Sequence, residues 1–206
     1  MNKNLNIEDN AKILKLSYIK NHYKQLINEA QATEMSYDSF LSLMLRNEVE
    51  QRQENGIRRK IRLAKFKEMR YLEDYDTSVF KTDIQKQIKR LKTLSFIENH
   101  ENIILFGNPG VGKTHLAIAL GVKACMSNLN VLFVHVPNLI IELKEAMSRT
   151  QFYKYKRQFN KYDLVILDEL GYISFDKEGS EILFNLLSDK NENGSIVITT
   201  NLVFER

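Results

Sequence analysis

The amino-acid sequence predicts an α/β protein in which a doubly wound parallel sheet follows an all-α N-terminal domain. The first 70 or so residues have a helical pattern with one glycine and no proline, and the turn-rich stretch "YLEDYDTS" follows them. From about residue 81, short apolar runs alternate with helical segments. This alternation is typical of parallel strands covered by helices on both faces. We therefore place the domain boundary between residues 1–75 and 76–206.

Three helices are predicted in the N-terminal domain. The stretch "AKILKLSYIKNHYKQLI", residues 11–27, carries apolar side chains at helical spacing. Residues 35–52 form the second predicted helix, with Ser36 as its N-cap. The third is predicted to begin near Gly56.

The third predicted helix is strongly basic. Between residues 51 and 71 there are eight basic side chains and two acidic ones. Such a local excess of positive charge suits a polyanion, so the segment is a candidate for binding double-stranded DNA. A solvated helix face that aids solubility is the alternative. The DNA-binding candidates are Arg58, Arg59, Lys60, Arg62 and Lys65.

The second domain is predicted to contain four strands, each followed by a helix except the last. The apolar runs at residues 102–106, 130–136, 163–169 and 195–201 are the predicted strands. The segments at residues 113–127, 138–148 and 178–190 are the predicted helices. This order indicates an α/β architecture with a parallel sheet.

The segment "GNPGVGKT", residues 107–114, matches the pattern G-x-x-x-x-G-K-[ST] between an apolar run and a helix. Its glycines let phosphate oxygens approach main-chain N–H groups at the helix N-terminus. Lys113 adds positive charge near the β- and γ-phosphates, and the Thr114 hydroxyl is a Mg²⁺ ligand. A glycine-rich turn with a solvated lysine is the alternative. The predicted cofactor-binding residues of this P-loop are Gly107, Asn108, Pro109, Gly110, Val111, Gly112, Lys113, Thr114 and His115.

Polar side chains end the third and fourth predicted strands. In P-loop NTPases a carboxylate at such a strand end holds Mg²⁺ opposite the Ser/Thr of the loop, and Asp168 is that candidate. The next residue, Glu169, is placed to orient or deprotonate a water molecule. Asn201 ends the fourth strand and is expected to reach the water or the γ-phosphate. An ordinary turn-forming asparagine is the alternative.

A second candidate for DNA contact is "RTQFYKYKRQFNKY", residues 149–162, which interleaves basic and aromatic side chains without an acidic one. Cations beside aromatic rings suit contact with the phosphate backbone and stacking on bases. A helix packed on a parallel sheet also needs aromatic side chains on one face and charges on the other. The sequence leaves both interpretations open.

Composition argues against several classes of protein. No apolar run approaches the roughly 18 residues of a membrane span, and residues 1–10 lack the apolar stretch of a signal peptide. The single cysteine, Cys125, cannot form an internal disulfide, and the four histidines are scattered without zinc-binding spacing. We therefore expect a cytoplasmic protein with no membrane partner.

Three stretches carry a resemblance to a known family: "GNPGVGKTHLAIALGVKAC", "LVILDELGYISFDKEGSEILFNLLS" and "SIVITTNLVFER". They closely resemble the IstB-like transposition helper ATPases and, more distantly, the DnaC-type helicase loaders, both of the AAA+ superfamily. The resemblance implies ATP as the nucleotide, ATP-dependent assembly on DNA and partnership with a transposase encoded by the same insertion sequence. It also implies ring or helical oligomers with the ATP site between subunits.

Members of this family continue beyond "TTNLVFER" with a fifth strand and a small helical lid that holds the arginine finger and the second sensor arginine. We therefore expect the fifth strand and lid to be missing here, and residues 102–106 to form an exposed apolar edge. ATP hydrolysis by this chain alone is expected to be slow or absent. The alternatives are a DnaC-like helicase loader in replication and a non-catalytic truncated remnant.

Overall fold

The computed structural model describes residues 6–171, 176–190 and 193–202. The chain divides into two compact units, one up to Arg58 and one from Arg59 onward. The sequence places the boundary after Tyr75, whereas residues 59–75 belong to the second unit in the structure. The reason is that Ala64 and Leu72 are buried in the core of that unit and Tyr75 packs against it.

The first unit contains α1 (Ile7–Ile13), α2 (Ser17–Ala32) and the beginning of α3 (Tyr37–Leu63). The prediction of one continuous helix across residues 11–27 was wrong, because the chain breaks before α2. Lys15 in this break has a left-handed backbone with φ of 55°. No side chain of the break caps α2. Instead, the buried carboxylate of Glu48 accepts hydrogen bonds from the amides of Ser17, Tyr18 and Ile19.

Helix α3 also differs from the prediction. Two separate helices were expected, but α3 runs without interruption through Gly56. A glycine inside a helix costs only about 1 kcal/mol relative to alanine, which does not stop a long helix. The amide of Ser39 donates to the Ser36 hydroxyl, as expected of an N-cap. Because α3 ends at Leu63, the basic residues from Lys65 onward follow the helix.

The second unit is an α/β fold, as predicted. Its strands are β1 (Ile103–Phe106), β2 (Val131–His135), β3 (Leu164–Leu170) and β4 (Ser195–Thr200). Within the described ranges these form one four-stranded sheet of order β1-β4-β3-β2, and every pairing is parallel. The helices are α4 (Thr82–Leu91), α5 (Ser95–Glu98), α6 (Lys113–Met126), α7 (Val136–Ser148), α8 (Phe152–Phe159) and α9 (Lys177–Lys190).

Helices cover both faces of the sheet, and each face has its own apolar core. Helix α6 lies on one face and packs against Phe133, Ile166 and Val197. Helices α7, α8 and α9 pack on the other, where Val165 and Ile196 are buried. Strand β1 forms one edge, and its Ile104 side chain is 47% exposed. No helix in the described part of the chain is long and apolar enough to cross a membrane.

Close packing of α6 on the sheet depends on a glycine. A Cβ added at Gly121 would lie 2.7 Å from Ile166 and 2.8 Å from Phe66. We therefore expect Gly121→Ala to lower the free energy of unfolding by about 1–3 kcal/mol through overpacking, measured by urea denaturation. Gly56→Ala is the matched control, since a Cβ there meets nothing within 4 Å, and it should raise stability by about 1 kcal/mol. Equal effects of the two substitutions would contradict this explanation.

Candidate functional site

The loop between β1 and α6 has the backbone shape that the motif predicts. Gly110 and Gly112 have backbone φ values of 82° and 90°, which residues other than glycine rarely adopt. A Cβ at Gly112 would in addition lie 3.1 Å from the Tyr75 ring. Helix α6 begins at Lys113, directly after Gly112. The first amides of a helix have no carbonyl partner within it, so this helix start is suited to an anion.

The Lys113 ammonium folds back over the loop. It donates to the carbonyl oxygens of Gly107 at 2.7 Å and Asn108 at 2.8 Å. Partial burial lowers the pKa of Lys113, and the nearby negative charge of Asp168 opposes that shift. The lysine therefore provides a positive charge at the mouth of the loop.

Asp168 lies at the centre of the site and is almost completely buried. Its Oδ1 accepts hydrogen bonds from the hydroxyls of Thr114, at 2.7 Å, and Thr199, at 2.8 Å. Its Oδ2 is buried and has no hydrogen-bond donor among the described residues. A carboxylate and a hydroxyl are ligands that Mg²⁺ accepts. The donor set therefore fits a hard divalent cation, and Oδ2, which lacks a hydrogen-bond donor, has the Lys67 ammonium 3.5 Å away.

Glu169 follows Asp168 at an irregularity in β3. The register between β3 and β4 shifts between Leu167 and Leu170, and Glu169 has a left-handed backbone with φ of 64°. Its amide donates to the Thr199 hydroxyl at 3.0 Å. Its carboxylate contacts Nε2 of His135 at the end of β2. The bulge thus directs the Glu169 side chain to the end of the neighbouring strand.

A cavity of about 560 Å³ lies beside the loop and brings predicted residues from three parts of the chain together. Its size is in the usual range of small-molecule sites. Asn201 lines it, but Thr199 is the β4 side chain that contacts Asp168. The predicted residues along its wall are Pro109, Gly110, Gly112, Lys113, Thr114, His115, Glu169 and Asn201.

Comparison with known proteins identifies the family. The family described as IstB-like ATP binding protein matches residues 9–206. The chain belongs to this IstB-like family. It is 35% identical over 191 residues to a protein of insertion sequence IS21 from Pseudomonas aeruginosa that is named for ATP binding, covering 93% of this chain and 72% of that protein. A protein of insertion sequence IS5376 from Geobacillus stearothermophilus, also named for ATP binding, is 30% identical over 93% of this chain and 76% of its own length.

Solved structures agree with the IstB-like assignment at the level of fold. A DnaC helicase loader superposes with a TM-score of 0.56 at 24% identity, covering 66% of this chain and 78% of that one. AMPPCP-bound DnaA from Aquifex aeolicus also gives 0.56, at 19% identity, covering 64% of this chain and 42% of that one. About two thirds of the chain therefore share the fold of these two proteins.

Three side chains of this IstB-like site were not singled out from the sequence. Thr199 could have been found, because it lies two residues after buried Val197 and so on the same face of β4. His135 pairs in register with Asp168, which the sequence of β2 alone does not reveal. The Nζ of Lys67 is 3.5 Å from Asp168 Oδ2. In the sequence, Lys67 was counted only as one of the basic residues between 51 and 71.

The basic candidates on α3 differ in accessibility. Arg58, Arg59 and Arg62 are exposed, as is Lys65 just beyond the helix. Lys60 is only partly exposed, and its ammonium donates to Asn130 Oδ1 at 2.8 Å. Four of the five therefore have accessible side chains, whereas Lys60 holds α3 to the loop before β2.

The aromatic side chains of residues 149–162 are mainly structural. Phe152, Tyr155 and Tyr162 pack against the core under α7, and Phe159 is buried in it. Burial, followed by the Glu142 carboxylate, raises the pKa of Tyr155. This arrangement matches the alternative interpretation, in which one helix face packs on the α/β core.

Proposed function

We propose that this chain binds Mg·ATP between the loop of residues 107–114 and Asp168, and that it acts as an ATP-dependent helper of insertion-sequence transposition. The observation that carries the nucleotide proposal is the convergence at Asp168. The hydroxyl of the P-loop residue Thr114 and the hydroxyl of Thr199 meet on one buried carboxylate oxygen. Thr114 is the second residue of α6, so this convergence lies beside the helix N-terminus, whose first amides have no carbonyl partner within the helix.

Each residue then has a chemical task. The loop amides and Lys113 bind the phosphate oxygens, while Thr114 and Asp168 hold Mg²⁺. A bound Mg²⁺ would supply positive charge to the phosphate oxygens. Glu169 orients the attacking water and accepts its proton. Asn201 contributes a polar wall to the same cavity.

Turnover by an isolated chain is proposed to be slow. Among the described residues that line the 560 Å³ cavity, none is an arginine. An arginine supplied by a neighbouring molecule accelerates related phosphoryl transfers roughly 10³- to 10⁵-fold. Self-association into a ring or helical oligomer would bring such a side chain to the cavity from a second copy.

DNA binding is proposed for the exposed basic side chains of the second unit around the end of α3. We expect the double variant Arg59→Ala/Arg62→Ala to bind duplex DNA more weakly. The slope of log affinity against log salt should become shallower by about one for each phosphate that the variant no longer neutralises. Fluorescence anisotropy across a salt series measures both quantities.

The matched comparison removes two exposed charges from α8 instead, as Lys154→Ala/Arg157→Ala. This variant should retain the affinity and the salt slope of the unmodified chain. If the α8 variant bound DNA more weakly while the α3 variant did not, the DNA contact would belong to residues 149–162.

The partner is proposed to be the transposase of the same mobile element. The support is the family match together with relatives named as insertion-sequence proteins. The test is co-purification of tagged chain with that transposase in the presence of DNA and Mg·ATP. Capture of a replicative helicase instead would favour a loading role in replication.

A further inference from the structure

Lys67 belongs to the basic run by sequence but lies at the nucleotide site in the structure. Its Nζ is 3.5 Å from Asp168 Oδ2 and 5.9 Å from the centroid of the Phe133 ring. The Lys67 side chain is 53% exposed, whereas that of Asp168 is 1% exposed. The lysine therefore reaches from solvent across Phe133 to a buried carboxylate.

The backbone on either side of this lysine is held against the core. The Ala64 carbonyl accepts a hydrogen bond from the Phe133 amide on β2 at 2.8 Å. The next aromatic residue, Phe66, packs against Phe133 with ring centroids 6.2 Å apart. The Phe66 ring also packs against α6 so closely that a Cβ added at Gly121 would clash with it. The contacts of Ala64 and Phe66 thus fix the backbone that places Lys67 beside Asp168, whereas a lysine on a solvated helix face has no such contacts.

The two oxygens of Asp168 are in different surroundings. Oδ1 accepts from two hydroxyls, whereas Oδ2 has the Lys67 ammonium as the cation paired with it in the described part of the chain. A unit charge about 4 Å from a buried carboxylate interacts with it far more strongly than in water. A divalent cation bound by the same carboxylate must therefore enter against this positive charge.

We propose that Lys67 is a positioning residue of the nucleotide site that competes with Mg²⁺ for the negative charge of Asp168. Lys67 thereby sets the Mg²⁺ concentration at which the site takes a nucleotide. This inference rests on the proposed Mg·ATP function. It also links the basic segment to the site, because Lys67 lies four residues beyond the end of α3 at Leu63.

The test is a Mg²⁺ titration of nucleotide binding by the full chain, with a fluorescent ATP analogue as the probe. Lys67→Met removes the charge but keeps an unbranched side chain over Phe133. We expect it to lower the half-saturating Mg²⁺ concentration about fivefold to tenfold, tenfold being about 1.4 kcal/mol. Lys67→Arg, which keeps the charge, should resemble the unmodified chain. Lys123→Met, at an exposed position in the last turn of α6, should have no effect.

The possible outcomes separate this inference from the proposed function. An unchanged or higher Mg²⁺ requirement in Lys67→Met, with Mg²⁺-dependent binding intact in the unmodified chain, would overturn the role of Lys67 alone. Absence of nucleotide binding by the unmodified chain at every Mg²⁺ concentration would overturn both proposals. Urea denaturation of each variant shows whether the fold is retained, and the arginine variant tests the same charge without shortening the side chain.

Discussion

Lys113→Ala is expected to raise the dissociation constant for Mg·ATP at least about 100-fold, which corresponds to about 2.8 kcal/mol. The substitution removes the full positive charge that reaches from the start of α6 to the loop carbonyls of Gly107 and Asn108. Hydrogen bonds between charged groups, such as those proposed from this ammonium to phosphate oxygens, are the strong ones in proteins. Competition against a fluorescent nucleotide measures the change.

Lys123→Ala is the control for this prediction, because it removes the same charge from the exposed far end of the same helix. It should leave the affinity for Mg·ATP unaltered. If Lys113→Ala bound the nucleotide as tightly as this control does, the loop would not be the phosphate site.

Glu169→Gln is expected to slow ATP hydrolysis by about 10²- to 10⁴-fold, the usual contribution of a positioned general base. The affinity for Mg·ATP should change little, because the phosphate contacts are assigned to the loop and to Lys113. The amide side chain has nearly the same shape but cannot accept a proton. Phosphate release is measured at saturating ATP and high protein concentration, with duplex DNA present.

Glu145→Gln, on an exposed position of α7, is the matched control and should hydrolyse ATP at the rate of the unmodified chain. A Glu169→Gln variant with undiminished turnover would assign proton transfer to another group. A variant with reduced affinity and normal turnover would place Glu169 among the binding residues.

Much of the α/β unit could be predicted from the sequence, because strands buried on both faces are continuous apolar runs. The four strands and the helices following the first three lie within a residue or two of their predicted positions. The proximity of Thr114 and Asp168 also follows from sequence, since Asp168 lies near the carboxyl end of β3 and Thr114 follows the loop that leaves the carboxyl end of β1. Those ends meet at one edge of the sheet.

The helical region was predicted less well, because its boundaries depend on tertiary contacts. The break at Lys15 carries no glycine or proline signal, and α2 is capped by Glu48 from a distant part of the sequence. Conversely, Gly56 was predicted to start a helix and lies inside one. A difference in helix propensity of about 1 kcal/mol, such as that between glycine and alanine, does not decide where these helices begin and end.

The least predictable feature of the site is Lys67. Its sequence neighbours are basic, so charge patterning groups it with a surface for polyanions. Its position at Asp168 depends on the anchoring of Ala64 to β2 and of Phe66 to α6. Those contacts join parts of the chain that no local pattern connects.

Isothermal titration calorimetry of the folded chain with ATP, in Mg²⁺ and then in excess chelator, tests the central claim most directly. We predict one saturable site per chain in Mg²⁺ and much weaker binding when the metal is removed, because Thr114 and Asp168 are the residues proposed to hold the metal beside the loop. Folded protein that gives no saturable heat with Mg·ATP, or binds ATP equally well without Mg²⁺, would contradict this claim.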